Sequence, residues 1–138
     1  HLPLWLEKQD SQGTPSTPPV NAVLALRQAL KELAKHGSWE GRRKRYLKLA
    51  GKVRESLASL GVEALLDADQ ASCALTAYRV PEGMSYEEIH DGLKRWGFVI
   101  FAGQDSLAGE IFQISTMGDI THYDLERLLA AIETVFKH

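Results

Sequence analysis

The sequence predicts an α/β fold of the α+β kind, a two-layer sandwich in which helices cover one face of a small antiparallel or mixed sheet. Three observations carry this expectation. Apolar residues recur at intervals of three and four over most of the chain. Short stretches between them are instead rich in β-branched and aromatic residues or run unbroken in apolar ones. The two patterns follow the order helix, helix, strand, helix, strand, strand, helix.

Residues 1–19 are expected to be irregular. An apolar patch (Leu2, Leu4, Trp5, Leu6) precedes a polar, Pro-rich stretch from Gln9 to Pro19. So small a patch does not fold alone and is expected to pack on another part of the protein. The opening His1-Leu2-Pro3-Leu4-Trp5 has no initiator Met and no signal-peptide layout, so it reads as the start of a fragment or a trimmed chain. From Pro18 a helix is predicted, with Val23, Leu26, Leu30 and Leu33 on one face. Thr17 is its expected N-cap, and Pro18 takes the first helical position, where a missing N–H costs nothing. Gly37 is a natural stop. Ser38 is expected to cap a second helix, with Tyr46, Ala50, Val53, Leu57 and Leu60 as its apolar stripe and Gly61 at its end.

The period then changes. Cys73 to Val80 reads as a strand ended by Pro81. Ser85 and Glu88 form the pattern of a capping box, with Met84 and Ile89 as the hydrophobic staple. Ile89, Leu93 and Trp96 make the expected buried face of that helix, and Gly97 stops it. Phe98 to Ala102 is an apolar run of strand length, Gly103 to Gly109 a loop, and Glu110 to Ser115 a further strand. Ile120, Thr121, Asp124 and Leu125 announce the last helix, and Leu125, Leu128, Leu129, Ile132, Val135 and Phe136 line one side of it.

At 138 residues the chain suits one domain and can bury a core without staples. Its formal net charge of -2 implies no nucleic-acid or membrane partner. No apolar run approaches the roughly 20 residues that span a bilayer. Cys73 is the single cysteine, so no disulfide forms within the chain, as in a cytoplasmic protein.

Two stretches are candidates for chemistry. Gly13 to Pro19 joins the hydroxyls of Thr14, Ser16 and Thr17 to a helix N-terminus, where free N–H groups and the helix dipole favour an anion such as phosphate. The same residues also make an ordinary capped helix after a stiff linker. Glu110 to Thr121 runs from a strand into a turn that opens a helix. Alternation puts Gln113 and Ser115 opposite Phe112 and Ile114, where they meet either a ligand or solvent. The basic run Arg42-Arg43-Lys44-Arg45 reads as a solvated helix face, since no aromatics interleave with it. His36, His90 and His122 are scattered, without metal-ligand spacing. Cys73 reads as an inert thiol. No Ser-His-Asp order, P-loop or glycine fingerprint is present.

Taken in order, four segments resemble the C-terminal, small domain of class V (fold-type I) pyridoxal-phosphate aminotransferases. They are LPLWLEKQ, GTPSTPPVNAVLALRQALKEL, SYEEIHDGLKRWGFVIFAG and GEIFQISTMGDITHYDLERLLAAIE. The Met117-Gly118-Asp119 turn and its preceding strand are similar to those of 2-aminoethylphosphonate–pyruvate transaminases, with alanine–glyoxylate and serine–pyruvate enzymes as relatives. The resemblance implies a linker over 1–19 that leaves a large domain, and a small domain over 20–138. It implies a homodimer, pyridoxal 5'-phosphate as cofactor, and a small amine and a keto acid as substrates. In this family the cofactor lysine belongs to the large domain, so the chain alone is expected to be inactive. Thr17 matches the threonine that reaches the cofactor phosphate of the partner subunit, and Thr14 sits where a second polar contact is usual. Gln113 departs from the pattern, because the family has an arginine there for the substrate's acidic group. An amide lacks that planar, charged fork. A non-catalytic stand-alone domain, used for folding or interaction, is the other function the residues allow.

Overall fold

The computed structural model describes residues 2–14 and 16–137. The element order is α1 (Leu2–Asp10), α2 (Val20–Lys35), α3 (Ser38–Ser59), β1 (Leu75–Arg79), α4 (Tyr86–Arg95), β2 (Phe101–Ala102), a short 3-10 turn (Asp105–Leu107), β3 (Ile111–Ser115) and α5 (His122–Phe136). The residues group into two units, one up to Glu40 and one from Gly41 onward.

The second unit is the predicted sandwich. Its sheet has three strands in the order β1-β3-β2, all antiparallel. β3 runs through the middle, with Ala77 of β1 and Phe101 of β2 both opposite Gln113. Tyr78, Phe112 and Ile114 point to one face and are buried there with Leu57 of α3, Ile89 of α4 and Ile132 of α5. The Tyr78 and Phe112 rings stack at 5.5 Å between centroids. Burying side chains of this size stabilises by about 1.5–3 kcal/mol each, so the shared layer dominates the unit's stability.

Local chemistry explains the helix ends. The capping box of α4 is complete: Glu88 N–H donates to Ser85 Oγ, and Ser85 N–H to the Glu88 carboxylate. Thr121 and Asp124 repeat it at α5. α3 and α4 stop in Schellman motifs. In α4, Phe98 N–H donates to Leu93 O and Gly97 N–H to Lys94 O. Gly97, at φ 89, takes the left-handed position that other residues avoid.

Several expectations are corrected. Residues 1–19 are not irregular throughout, because Leu2–Asp10 is helical. Leu4 to Gln9 contains no Gly or β-branched residue, and Pro3 falls in the first turn, where it is tolerated. Thr17 does not cap α2. The N-cap is Pro19, without a side-chain hydrogen bond. Pro19 disfavours helical torsions at Pro18, so the helix cannot begin where the pattern suggested. Ser38 is a helical residue at φ 64, following Gly37 at φ 83, and so lacks the extended torsions of a cap. Trp96 is not in the buried face of α4 but is 41% exposed at its C-cap. Gly92 takes the inward place, so close to α5 that an added Cβ would lie 2.8 Å from Val135 Cγ2. The apolar run Phe98–Ala102 pairs only at Phe101 and Ala102, because Phe98 is committed to the end of α4.

The first unit shows the predicted apolar stripe without a core. Val23, Leu26 and Leu30 of α2 are 58%, 60% and 56% exposed. No described residue up to Glu40 is buried, and Leu33 is half-buried.

Candidate functional site

Gln113 lies on the sheet face opposite the helices, as the alternation predicts. It is half-buried, while Phe112 and Ile114 beside it are at 0% and 5% exposure on the other face. Its cross-strand neighbours, Ala77 and Phe101, are uncharged. By register the nearest cation on that face of β1 is Arg79, opposite Ile111. The arrangement offers an amide, flanked by a methyl and an aromatic ring, to whatever meets this face.

The end of β3 is heavily tied. Ser115 Oγ donates to Ala74 O at 3.1 Å and accepts from Met117 N–H at 3.3 Å. Thr116 Oγ1 donates to Cys73 O at 3.2 Å. Ser115 is therefore a structural brace rather than a free polar group beside Gln113. Cys73 is half-buried and contributes its carbonyl here.

The turn beyond, Met117 to Ile120, is gripped from α3. Arg45 Nη2 donates to Asp119 Oδ1 at 3.0 Å and to Ile120 O at 2.8 Å. Gly118 N–H donates to Tyr46 Oη at 3.3 Å. Arg45 thus does more than the solvated face read from the basic run. No local signal could have found this contact, because its partners are 74 residues apart.

In the first unit, Thr14 and Thr17 are exposed. Thr14 Oγ1 donates its only proton to Ser16 O at 2.7 Å, so it must turn to donate to an anion. Pro15 of the same stretch lies outside the described residues. At the start of α2, Val20 N–H donates to Pro18 O and Val23 N–H to Pro19 O. The amides of Asn21 and Ala22 are left without an intrahelical acceptor. Those two donors and the threonine hydroxyls are what this stretch can offer a phosphate.

The remaining candidates are quiet. Among the described residues no three His, Cys, Asp or Glu side chains cluster as a metal site. His90 Nδ1 lies 2.9 Å from Asp91 Oδ1, and His122 Nε2 lies 3.7 Å from Glu126 Oε1. The Thr121 hydroxyl and amide hold the Asp124 carboxyl below the usual carboxylate range, and the Ser85 amide and hydroxyl do the same for Glu88. Burial raises the Tyr78 phenol. Each shift belongs to a cap or to the core. Among the described residues no helix is long and apolar enough to cross a membrane.

Comparison with known proteins agrees with the architecture. No family model matches the chain. A 2-aminoethylphosphonate–pyruvate transaminase from Phocaeicola vulgatus is 37% identical over 122 residues, covering 88% of this chain and 33% of that protein. An aspartate aminotransferase of subgroup IV from Thermus thermophilus superposes with a TM-score of 0.76 at 23% identity, over 99% of this chain and 38% of the other. An alanine–glyoxylate aminotransferase from Nostoc sp. gives 0.75 at 24% identity, over 87% and 32%. The chain spans about a third of the length of the curated relatives it matches. By sequence along most of its length the chain is similar to about a third of the length of 2-aminoethylphosphonate–pyruvate transaminases, and its one-sided antiparallel sheet has the fold of the matching part of class V aminotransferases, the C-terminal small domain that the sequence resembles.

Proposed function

We propose that this chain acts as the small domain of an aminotransferase that passes an amino group from 2-aminoethylphosphonate, or a similar small amine, to pyruvate. The observation that carries the reading is the 37% identity sustained over 122 residues with a 2-aminoethylphosphonate–pyruvate transaminase.

In this reading residues 1–19 are the linker from a large domain and 20–138 the small domain. The uncovered stripes of α1 and α2 are where the large domain packs, and burying them removes apolar area from water at about 25 cal/mol per Å². The intact enzyme is a cytoplasmic homodimer. Its family is pyridoxal-phosphate dependent, and that cofactor, when bound, supplies the electron sink for moving the amino group. Hydroxyls and free amides at the start of α2 are the donor chemistry that its phosphate end calls for. Thr17, and Thr14 once its hydroxyl turns from Ser16 O, would hold the phosphate of the partner subunit's cofactor, helped by the Asn21 and Ala22 amides. Gln113 meets the head group of the substrate.

A second reading is favoured by Gln113 and its uncharged neighbours Ala77 and Phe101. An amide binds a doubly charged phosphonate less well than an arginine fork does. That points to an amine with a smaller charge, as in alanine–glyoxylate or serine–pyruvate enzymes.

One experiment tests both. The chain is joined to its upstream region, loaded with pyridoxal phosphate and supplied with pyruvate and a series of amines. Alanine formed from 2-aminoethylphosphonate supports the first reading. Alanine formed only from neutral-headed amines or amino acids supports the second. No amine-dependent change in the cofactor's absorbance with any small amine overturns both, leaving a non-catalytic domain.

A further inference from the structure

A cleft of about 370 Å³ opens between α3 and the first turn of α5. It lies on the helix-covered side of the sheet, opposite to Gln113, and is independent of the function proposed above. Its floor is apolar: Leu49 and Leu125 are buried and Ile120 is half-buried. Its rim is basic. Arg45, Lys48 and Lys52 step by three and four residues, so they share one face of α3, and His122 stands across from them.

The cations are differently prepared. Arg45 is pinned through Nη2 by Asp119 and the Ile120 carbonyl. Its Nε and Nη1 make no hydrogen bond among the described residues, which leaves part of a fixed fork open. Lys48 and Lys52 form no ion pair among the described residues. The nearby acids are largely spoken for. The Asp124 carboxylate accepts from the Thr121 amide and hydroxyl. Glu126 faces His122, and Asp119 faces Arg45. In a chain of net charge -2, Lys48 and Lys52 thus set two charges without an ion pair among the described residues beside a held guanidinium, over an apolar floor.

We propose that this cleft is a binding site for a phosphomonoester with a small apolar body. The phosphate carries a charge of about -1.5 to -2 near neutral pH and three acceptor oxygens, which suits a partly fixed guanidinium and two mobile ammonium groups. The apolar body lies on Leu49, Ile120 and Leu125. A solvated helix face would have no use for that floor.

Calorimetric titration of the full chain with phenyl phosphate, inorganic phosphate and benzyl alcohol is the test. Expected is saturable one-to-one binding of phenyl phosphate, tighter than inorganic phosphate, and none of benzyl alcohol in the same range. In Lys48→Ala/Lys52→Ala, the phenyl phosphate affinity falls by roughly tenfold or more, the worth of a lost charge-assisted contact. It is unchanged in Arg79→Ala, a cation on the opposite sheet face. Both substitutions are at rim or surface positions, and an unchanged unfolding curve verifies the fold. The proposal is overturned by the absence of saturable binding at millimolar ligand, or by equal binding in the double variant. It is equally overturned if inorganic phosphate or benzyl alcohol binds as tightly as phenyl phosphate.

Discussion

From Gly41 onward the chain buries its stripes, and up to Glu40 it displays them. Leu57, Phe112 and Ile132 have no exposed surface, while Val23, Leu26 and Leu30 keep more than half of theirs. The local pattern is equally good in both regions. α2 has apolar residues at the same spacing of three and four as α5. What differs is the partner. α3, α4 and α5 each place residues in the core cluster on the apolar face of the sheet, and α4 packs against α5, whereas α1 and α2 bury no residue of their own. Amphipathicity therefore says which face of a helix seeks burial and nothing about what covers it.

The contrast can be broken or sharpened by substitution. Phe112→Ala should have the largest effect, a loss of about 3–5 kcal/mol in urea unfolding, because Phe112 lies at the centre of the layer between Tyr78 and Phe136. A loss under 1 kcal/mol would mean that the second unit is not held by this core.

Thr121→Ala should cost about 1 kcal/mol, the usual worth of an N-cap hydroxyl. It also has a pH signature. The folded-state value of Asp124 lies below its unfolded value, so the unfolded chain takes up the proton first. The cap's contribution is present above the ordinary carboxylate range and is lost as pH falls through the lowered folded value. Thr121→Ala should therefore flatten the acid limb of stability against pH, measured below the ordinary carboxylate range. An acid limb of unchanged steepness would refute the capping-box role.

Leu26→Ala should have the smallest effect, within about 0.5 kcal/mol in this chain, since its side chain is already in water. Joined to the upstream region, the same substitution should cost about 2 kcal/mol or more if a large domain covers α2. Equal small effects in both contexts would remove the docking role from that stripe.

Much of the fold was legible because its signals are local. Ser85–Glu88 and Thr121–Asp124 are capping boxes set by spacing alone, and both formed. Gly61 and Gly97 stopped helices through a torsion that glycine adopts freely. Alternation along β3 correctly put Gln113 and Ser115 away from the core. The errors also had local causes. Adjacent prolines moved the start of α2 past Thr17, and Trp96 fell one turn beyond the face that Gly92 occupies.

The sequence by itself determined where α4 and α5 begin, where α3 and α4 stop, which face of α2, α3 and α5 is apolar, and that helices cover one side of the sheet. These depend on hydrogen bonds and spacings within a few residues. Only the tertiary structure decided that β3 is the central strand and that Ser115 is consumed in bracing Ala74 and Met117. The same holds for Arg45 and Tyr46 of α3, which hold the turn at Gly118–Ile120. Such contacts join residues tens of positions apart, and no periodicity encodes a distance that only chain reversal creates.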